Sequence, residues 1–308
     1  MSEPAIVEIA PPDLSAYRAG NTGIPYVTSL AAAAPGPHAV LLALTHGNEI
    51  CGAIALDRLL RENIRPARGT LTFAFANVAA YSRFDPAAPH SWRCVDEDFN
   101  RLWDARTLDG PRHSIELDRA RELRPLIERA DYLLDIHSMT IASEPLMLAG
   151  LMDKSVALAR RLGAPSIIMR DAGHAAGTRL RDYGRFADSA HPAASLLIEC
   201  GEHWRKETAD AAYDIARRFL AAAGIVDMPV PPAEPQRVLD VTDAVTVLGD
   251  NFSFVREFRG LEIVREAGTV IAHDGGRPVA TPYHDCVLVM PSPLPVPGST
   301  AVRFGRFL

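Results

Sequence analysis

The sequence lacks several features that would place it in a specialised class. No apolar run approaches the roughly 18 residues that a membrane helix needs, so no membrane partner is expected. Only four cysteines occur, Cys51, Cys94, Cys200 and Cys286, scattered and without a CxxC pair. That excludes a disulfide framework and a thiolate zinc knuckle, and it suits a reducing compartment. Basic charge is not in excess: 32 Lys and Arg stand against 38 Asp and Glu, a formal net charge of −6. With no basic, aromatic-interleaved patch either, nucleic acid is not an expected partner, because that affinity comes chiefly from phosphate neutralisation. The first fourteen residues carry acids where a secretory signal would carry positive charge and then a long apolar core. A cytoplasmic location is therefore expected. Repeats and low-complexity tracts are missing beyond the alanine run at 31–34. What is present, 48% hydrophobic and 23% charged residues, is enough to bury a substantial core.

The clearest internal boundary is the segment MPVPPAEPQ, where Pro229, Pro231, Pro232 and Pro235 forbid a continuing helix. Before it, short apolar runs at 39–44, 70–76, 132–136, 166–169 and 195–198 read as buried strands. Helical spacing appears at 50–60, 114–129 and 206–223. Strands alternating with helices predict an α/β sheet covered on both faces. Beyond the prolines only short β-type pieces remain, at 238–239, 245–247, 262–264, 269–271 and 286–290, which predict a small all-β unit. Residues 77–112 show little regularity. A stretch of that length inside a compact unit is usually functional or disordered, and Trp92, Phe99 and Trp103 favour an ordered loop.

Two H-x-x-E pairs occur, His46/Glu49 and His113/Glu116. With ten histidines and sixteen glutamates, chance supplies about half of one such pair, so spacing alone decides nothing. Context separates them. The first pair directly follows an apolar strand and precedes a helix, at the carboxyl edge where ligands bind in open α/β sheets, and its offset lets imidazole and carboxylate converge. The second opens a charged helix, where His113 reads as exposed and Glu116 as a favourable first-turn acid. A catalytic zinc usually takes three protein ligands. His137, at the end of YLLDIH, is the candidate for the third, although a histidine that merely caps a strand is the plainer reading. Asp135 shares a face with His137 and either orients its imidazole or solvates the strand edge. Glu199 ends a further apolar strand in SLLIECGEHW and is placed to act as a general base, whereas Glu202 reads as a solvated edge acid. The long loop supplies Arg93 and the Asn100–Arg101 dipeptide beside Asp96, Glu97 and Asp98. An arginine fork can bind a substrate carboxylate or stabilise an oxyanion, but beside acids it is more often a surface ion pair.

Taken in order, THGNE, DEDFNR, DIHSM and IECG resemble the succinylglutamate desuccinylase/aspartoacylase family of zinc carboxypeptidase-like hydrolases. The usual family forms are close to THGNE, DLNR, DLH and EVG, and the match spans about residues 40–204. The resemblance implies a carboxypeptidase-like central mixed sheet flanked by helices, followed by a small all-β C-terminal domain. It divides the chain into a catalytic domain at 1–228, a linker at 229–235 and the β domain at 236–308. It further implies one Zn2+ per chain on His46, Glu49 and His137, Glu199 as base, Arg93 polarising the scissile carbonyl, and Asn100 with Arg101 holding the substrate carboxylate. Two departures bear on the substrate. The family arginine about ten residues before the base is Ser189 here, with Arg179, Arg181 and Arg185 nearby, and Arg185 is taken as its substitute. Tyr283 is taken, by rough position, as the pocket tyrosine of the C-terminal domain. The expected function is zinc-dependent hydrolysis of an N-acyl amino acid or a related carboxylate-bearing amide. A zinc carboxypeptidase acting on peptides and a catalytically silent binding protein are the alternatives. The acyl group, the oligomeric state and the choice of zinc over another divalent ion stay open, since N/O ligands accept several.

Overall fold

The computed structural model of the protein describes residues 6–173 and 176–308; the first five residues of the acidic start lie outside them. The elements run β1 (Val27–Ala31), β2 (His38–Ala43), α1 (Cys51–Arg61), β3 (Thr70–Phe75), α2 (Val78–Tyr81), α3 (Ala105–Leu108) and α4 (Ile115–Ile127). They continue with β4 (Tyr132–Met139), β5 (Leu146–Leu148), α5 (Asp153–Leu162), β6 (Ile167–Arg170), β7 (Ala194–Glu202) and α6 (Lys206–Ala222). The C-terminal region is all β: β8 (Arg237–Thr246), β9 (Phe252–Phe254), β10 (Glu262–Val264), β11 (Val270–Asp274), β12 (Arg277–Ala280), β13 (Cys286–Val289) and β14 (Thr300–Phe307). No described helix is long and apolar enough to cross a membrane.

One mixed sheet dominates, in the order β1-β3-β2-β4-β7-β5-β6-β8-β14-β13-β10. Its centre is parallel: β3, β2, β4 and β7 run together, which is why β2 reads as an unbroken apolar run rather than an alternating one. The antiparallel β5 then interrupts the series. Beyond the proline segment β8 rejoins the sheet by pairing with β6, and β14, β13 and β10 extend it. The strands β12, β11 and β9 form a second, three-stranded sheet.

Strand alternation divides the core. Leu41 and Ala43 of β2, Leu134 and Ile136 of β4, and Leu196 and Ile198 of β7 pack with α1, α5 and α6. On the other face Leu42 and Leu133 pack with α4 and with Phe99, Leu102 and Trp103 of the long loop. That loop is ordered because Glu116 anchors it. The Glu116 carboxylate is buried and accepts the backbone N–H groups of Val95, Asp96 and Glu97 as well as Asn77 Nδ2. Glu116 is thus more than a first-turn acid, whereas His113 is exposed as expected.

The turn after β2 is set by close packing. A Cβ on Gly47 would lie 2.5 Å from Ala80 Cβ and 2.6 Å from the Ala80 carbonyl carbon in α2. Backbone on one side leaves no flexible atom to give way, so Gly47→Ala should cost about 1–3 kcal/mol in chemical denaturation. Unchanged stability would show that the turn is not packed against α2 as described.

Candidate active site

The parallel strands β2, β4 and β7 end at one edge, and the polar residues of interest stand there. His46 and Glu49 occupy the turn between β2 and α1, where Leu44 takes a φ of 62° to leave the strand. His137 stands near the end of β4, with Asp135 on the same face, while Leu134 and Ile136 point at the helices. Glu199 is the direct register partner of His137 on β7.

Both imidazoles turn their Nδ1 atoms to one carboxylate. His46 Nδ1 lies 2.8 Å from Glu49 Oε1, and His137 Nδ1 lies 2.8 Å from Glu49 Oε2. One donor atom from each of the three residues falls within 4.8 Å of the others, and all three side chains are buried. Behind each ring stands another carboxylate: Asp98 Oδ1 is 2.9 Å from His46 Nε2, and Asp135 Oδ2 is 2.8 Å from His137 Nε2. Asp135 Oδ1 in turn accepts from Thr45 Oγ1 at 2.6 Å. Imidazoles with one nitrogen facing a shared centre and the other backed by a carboxylate have the arrangement of metal-bound histidine.

The electrostatics agree. Burial opposes the charge on Glu49, yet the two imidazoles outweigh it and hold its carboxyl well below the usual range. Burial likewise disfavours a charged His137, but Asp135 and Glu49 raise its pKa well above the ordinary value. A pocket that draws a proton onto a buried imidazole attracts a cation on the same grounds. The residues present therefore fit a divalent metal: His46, Glu49 and His137 could hold one.

Around this cluster, Arg93 Nη1 donates to Glu49 Oε1 at 2.9 Å, and its Nη2 lies 2.7 Å from His46 Nε2. Glu199 is buried, and loss of solvent pushes its carboxyl up to about 8 against the pull of His137. Its Oε2 has no hydrogen-bond partner among the described residues. The Asn100 backbone N–H donates to Asp98 Oδ1 at 2.8 Å, and its side-chain Oδ1 accepts from Leu180 N at 2.9 Å. Arg101 Nη1 donates to the Asn100 carbonyl at 2.8 Å, and its Nη2 is 3.8 Å from Asp98 Oδ2.

Two sequence assignments do not come to this edge. Arg185 Nη2 donates to the carbonyl of Ala130, before the start of β4. That is the opposite end of the strand that delivers His137, roughly 20 Å away at about 3.3 Å per residue. Another arginine of that loop, Arg179, is paired with the buried Asp171 at 2.6 Å. Its segment bridges to the long loop through Leu102 and Thr178, and its charge acts on both Glu199 and Arg101. Tyr283 is also elsewhere: its hydroxyl pairs with Thr242 Oγ1 at 2.7 Å, and its ring packs in the separate cluster of Ile271, Leu288, Val302 and Phe304. Tyr283 lies in the turn between β12 and β13, where rough position in the sequence could not decide which way its side chain would go.

Sequence reasoning also missed Asp98 as the carboxylate behind His46, and the buried pair of His203 Nδ1 with Ser138 Oγ at 2.7 Å. Asp98 carried a usable signal, since it stands two residues before Asn100 in the one motif rich in acids.

A parallel α/β edge carrying a buried two-histidine, one-carboxylate cluster defines the class as a candidate metal-centred enzyme. The family model for the succinylglutamate desuccinylase/aspartoacylase catalytic domain matches residues 35–222, more than half of the chain. The chain therefore belongs to the succinylglutamate desuccinylase/aspartoacylase family, a family of hydrolases that remove acyl groups from amides. The fold is also that of solved structures. Succinylglutamate desuccinylase from Vibrio parahaemolyticus superposes with a TM-score of 0.71 at 16% identity, over 92% of this chain and 86% of that one. The Vibrio cholerae enzyme gives 0.71 at 20% identity, over 91% and 85%. The product-bound ectoine utilization protein EutE (DoeB) from Ruegeria pomeroyi gives 0.65 at 18%, over 91% and 88%. No curated protein matches the chain significantly.

If Asp98 fixes the His46 ring, Asp98→Asn should weaken divalent-metal affinity by about 10- to 100-fold, read by chelator competition. Unaltered affinity would remove Asp98 from this role.

Proposed function

We propose that the protein is a zinc-dependent amidohydrolase that deacylates an N-acyl amino acid or a related carboxylate-bearing amide. The observation that carries this reading is the convergence of His46, Glu49 and His137 within 4.8 Å, with Glu199 paired in register to His137. His46, Glu49 and His137 are the ligands. When bound there, zinc supplies Lewis acidity toward an amide carbonyl oxygen and lowers the pKa of water toward about 7.

The remaining chemistry belongs to the chain. Glu199 is buried and, among the described residues, its Oε2 has no partner; burial raises its carboxyl, and a divalent cation held by the neighbouring cluster would draw it back toward the ionised form that a general base needs. It takes the proton of the attacking water and delivers it to the departing amine. Arg93, cationic and held against Glu49, faces the charge that develops on the carbonyl oxygen of the tetrahedral intermediate. Arg101, anchored on the Asn100 carbonyl, and the Asn100 carboxamide, fixed by Leu180 N, take the substrate carboxylate. Membership of a deacylase family supports this reading over peptide cleavage.

Zinc-loaded protein assayed against N-acyl amino acids and blocked dipeptides should hydrolyse the former in preference. Glu199→Gln should keep the metal and lower kcat by about 10²- to 10⁴-fold. Full turnover in that variant, or a preference for the dipeptides, would contradict the proposal.

A further inference from the structure

The strand that carries Glu199 does not run on smoothly. His137 of β4 opposes Glu199, but Met139 opposes Glu202, so β7 holds an extra residue there, a bulge. Gly201, at a φ of 126°, lies within it. The next two residues, His203 and Trp204, form the turn into α6. Trp204 takes a φ of 61°, a left-handed backbone that a bulky side chain rarely adopts. Both side chains are buried, each at 3% exposure. A bulge followed at once by a left-handed tryptophan aims the chain at particular partners.

Those partners lie on either side of Glu49. Trp204 Nε1 donates at 2.8 Å to the carbonyl of Asn48, the residue before Glu49. His203 N donates to the Met139 carbonyl at 2.7 Å, and His203 Nδ1 lies 2.7 Å from Ser138 Oγ. Ser138 follows His137, and its own backbone N–H donates to Glu49 Oε2 at 3.3 Å. Burial, the largest influence, lowers the His203 pKa to about 4. The ring is therefore neutral at neutral pH and serves as a hydrogen-bond partner rather than as a charge. Trp204 is held in turn: the His90 ring stands edge-on to it with centroids 4.9 Å apart, and its carbonyl accepts Glu8 N at 2.9 Å.

We propose that His203 and Trp204 are positioning residues that clamp the Glu49 turn and the end of β4 to the strand of Glu199. This rests on the metal-centred reading and deepens it: the clamp sets the aim of the Glu49 carboxylate and keeps one spacing between the ligands and the base. Ligands held in place beforehand bind a metal more tightly, because less ordering accompanies binding.

Cobalt serves as the probe, its affinity read by chelator competition. Trp204→Phe, which keeps a ring and loses the Nε1–H, should weaken Co2+ binding by about 10- to 100-fold, as should His203→Leu. His203→Asn, whose carboxamide can take the place of Nδ1, should retain most of the affinity. Unchanged affinity in Trp204→Phe or His203→Leu, or equal loss in His203→Asn and His203→Leu, would overturn the clamp in favour of plain packing. Should His203→Leu fail to fold, Ser138→Ala breaks the same bond with less disturbance; weakened binding in it supports the clamp and full affinity contradicts it. A wild type that binds no cobalt would count against the metal-centred reading alone. The clamp is then judged by crystal structures of the metal-free wild type and Trp204→Phe. A Glu49 carboxylate displaced from the two imidazoles in the variant supports it, and an unmoved one contradicts it.

Discussion

The carboxylate of Glu49 faces two imidazoles at once, and the rest of the site is arranged so that this contact survives burial. Three ionisable groups removed from water are unfavourable unless their charges and hydrogen-bonding positions are met. Here Glu49 meets the Nδ1 atoms of His46 and His137, while Asp98 and Asp135 stand behind their Nε2 atoms. The result is a compact, electronegative donor set whose natural complement is a divalent cation.

The scaffold's task is to bring those groups from distant parts of the chain to one edge. Parallel pairing of β2, β4 and β7 aligns their carboxyl ends, so that a turn after one strand, a residue near the end of the next and its register partner on the third become neighbours. Alternation then separates duties along a single strand: Leu134 and Ile136 anchor β4 to the helices while Asp135 and His137 face the site. The loop bearing Arg93, Asp98, Asn100 and Arg101 has little regular structure, yet it is fixed. Glu116 clamps its backbone, and Phe99, Leu102 and Trp103 bury its underside.

Much of this was legible because the governing signals are local. Apolar runs bounded by turn residues located β2, β3, β4, β6 and β7 to within a few residues, and helical spacing located α1, α4 and α6. The convergence of His46, Glu49 and His137 could be anticipated because each stands just past the end of such a run. What escaped depends on nonlocal packing. β1 and β5 are short strands whose identity comes from their partners, β3 and β7. β8 is one ten-residue strand where the sequence suggests two fragments, because its exposed and half-buried middle gives no apolar run. Arg179 and Arg185 lie six residues apart in one irregular loop, and only its path decides that the former pairs with Asp171 while the latter returns to Ala130.

Family membership sets the reaction class, and the roles of this chain's own residues within it are proposed above. Cys51 stands two residues after Glu49 and Cys200 directly follows Glu199, and both thiols are buried, so a thiolate-bound metal is the physical rival to the imidazole and carboxylate set. X-ray absorption at the zinc edge of the stoichiometrically loaded protein distinguishes them most directly. The account requires N/O ligands at about 2.0–2.1 Å with the outer-shell signature of two imidazoles. A sulfur shell near 2.3 Å, or no stoichiometric binding, would contradict it.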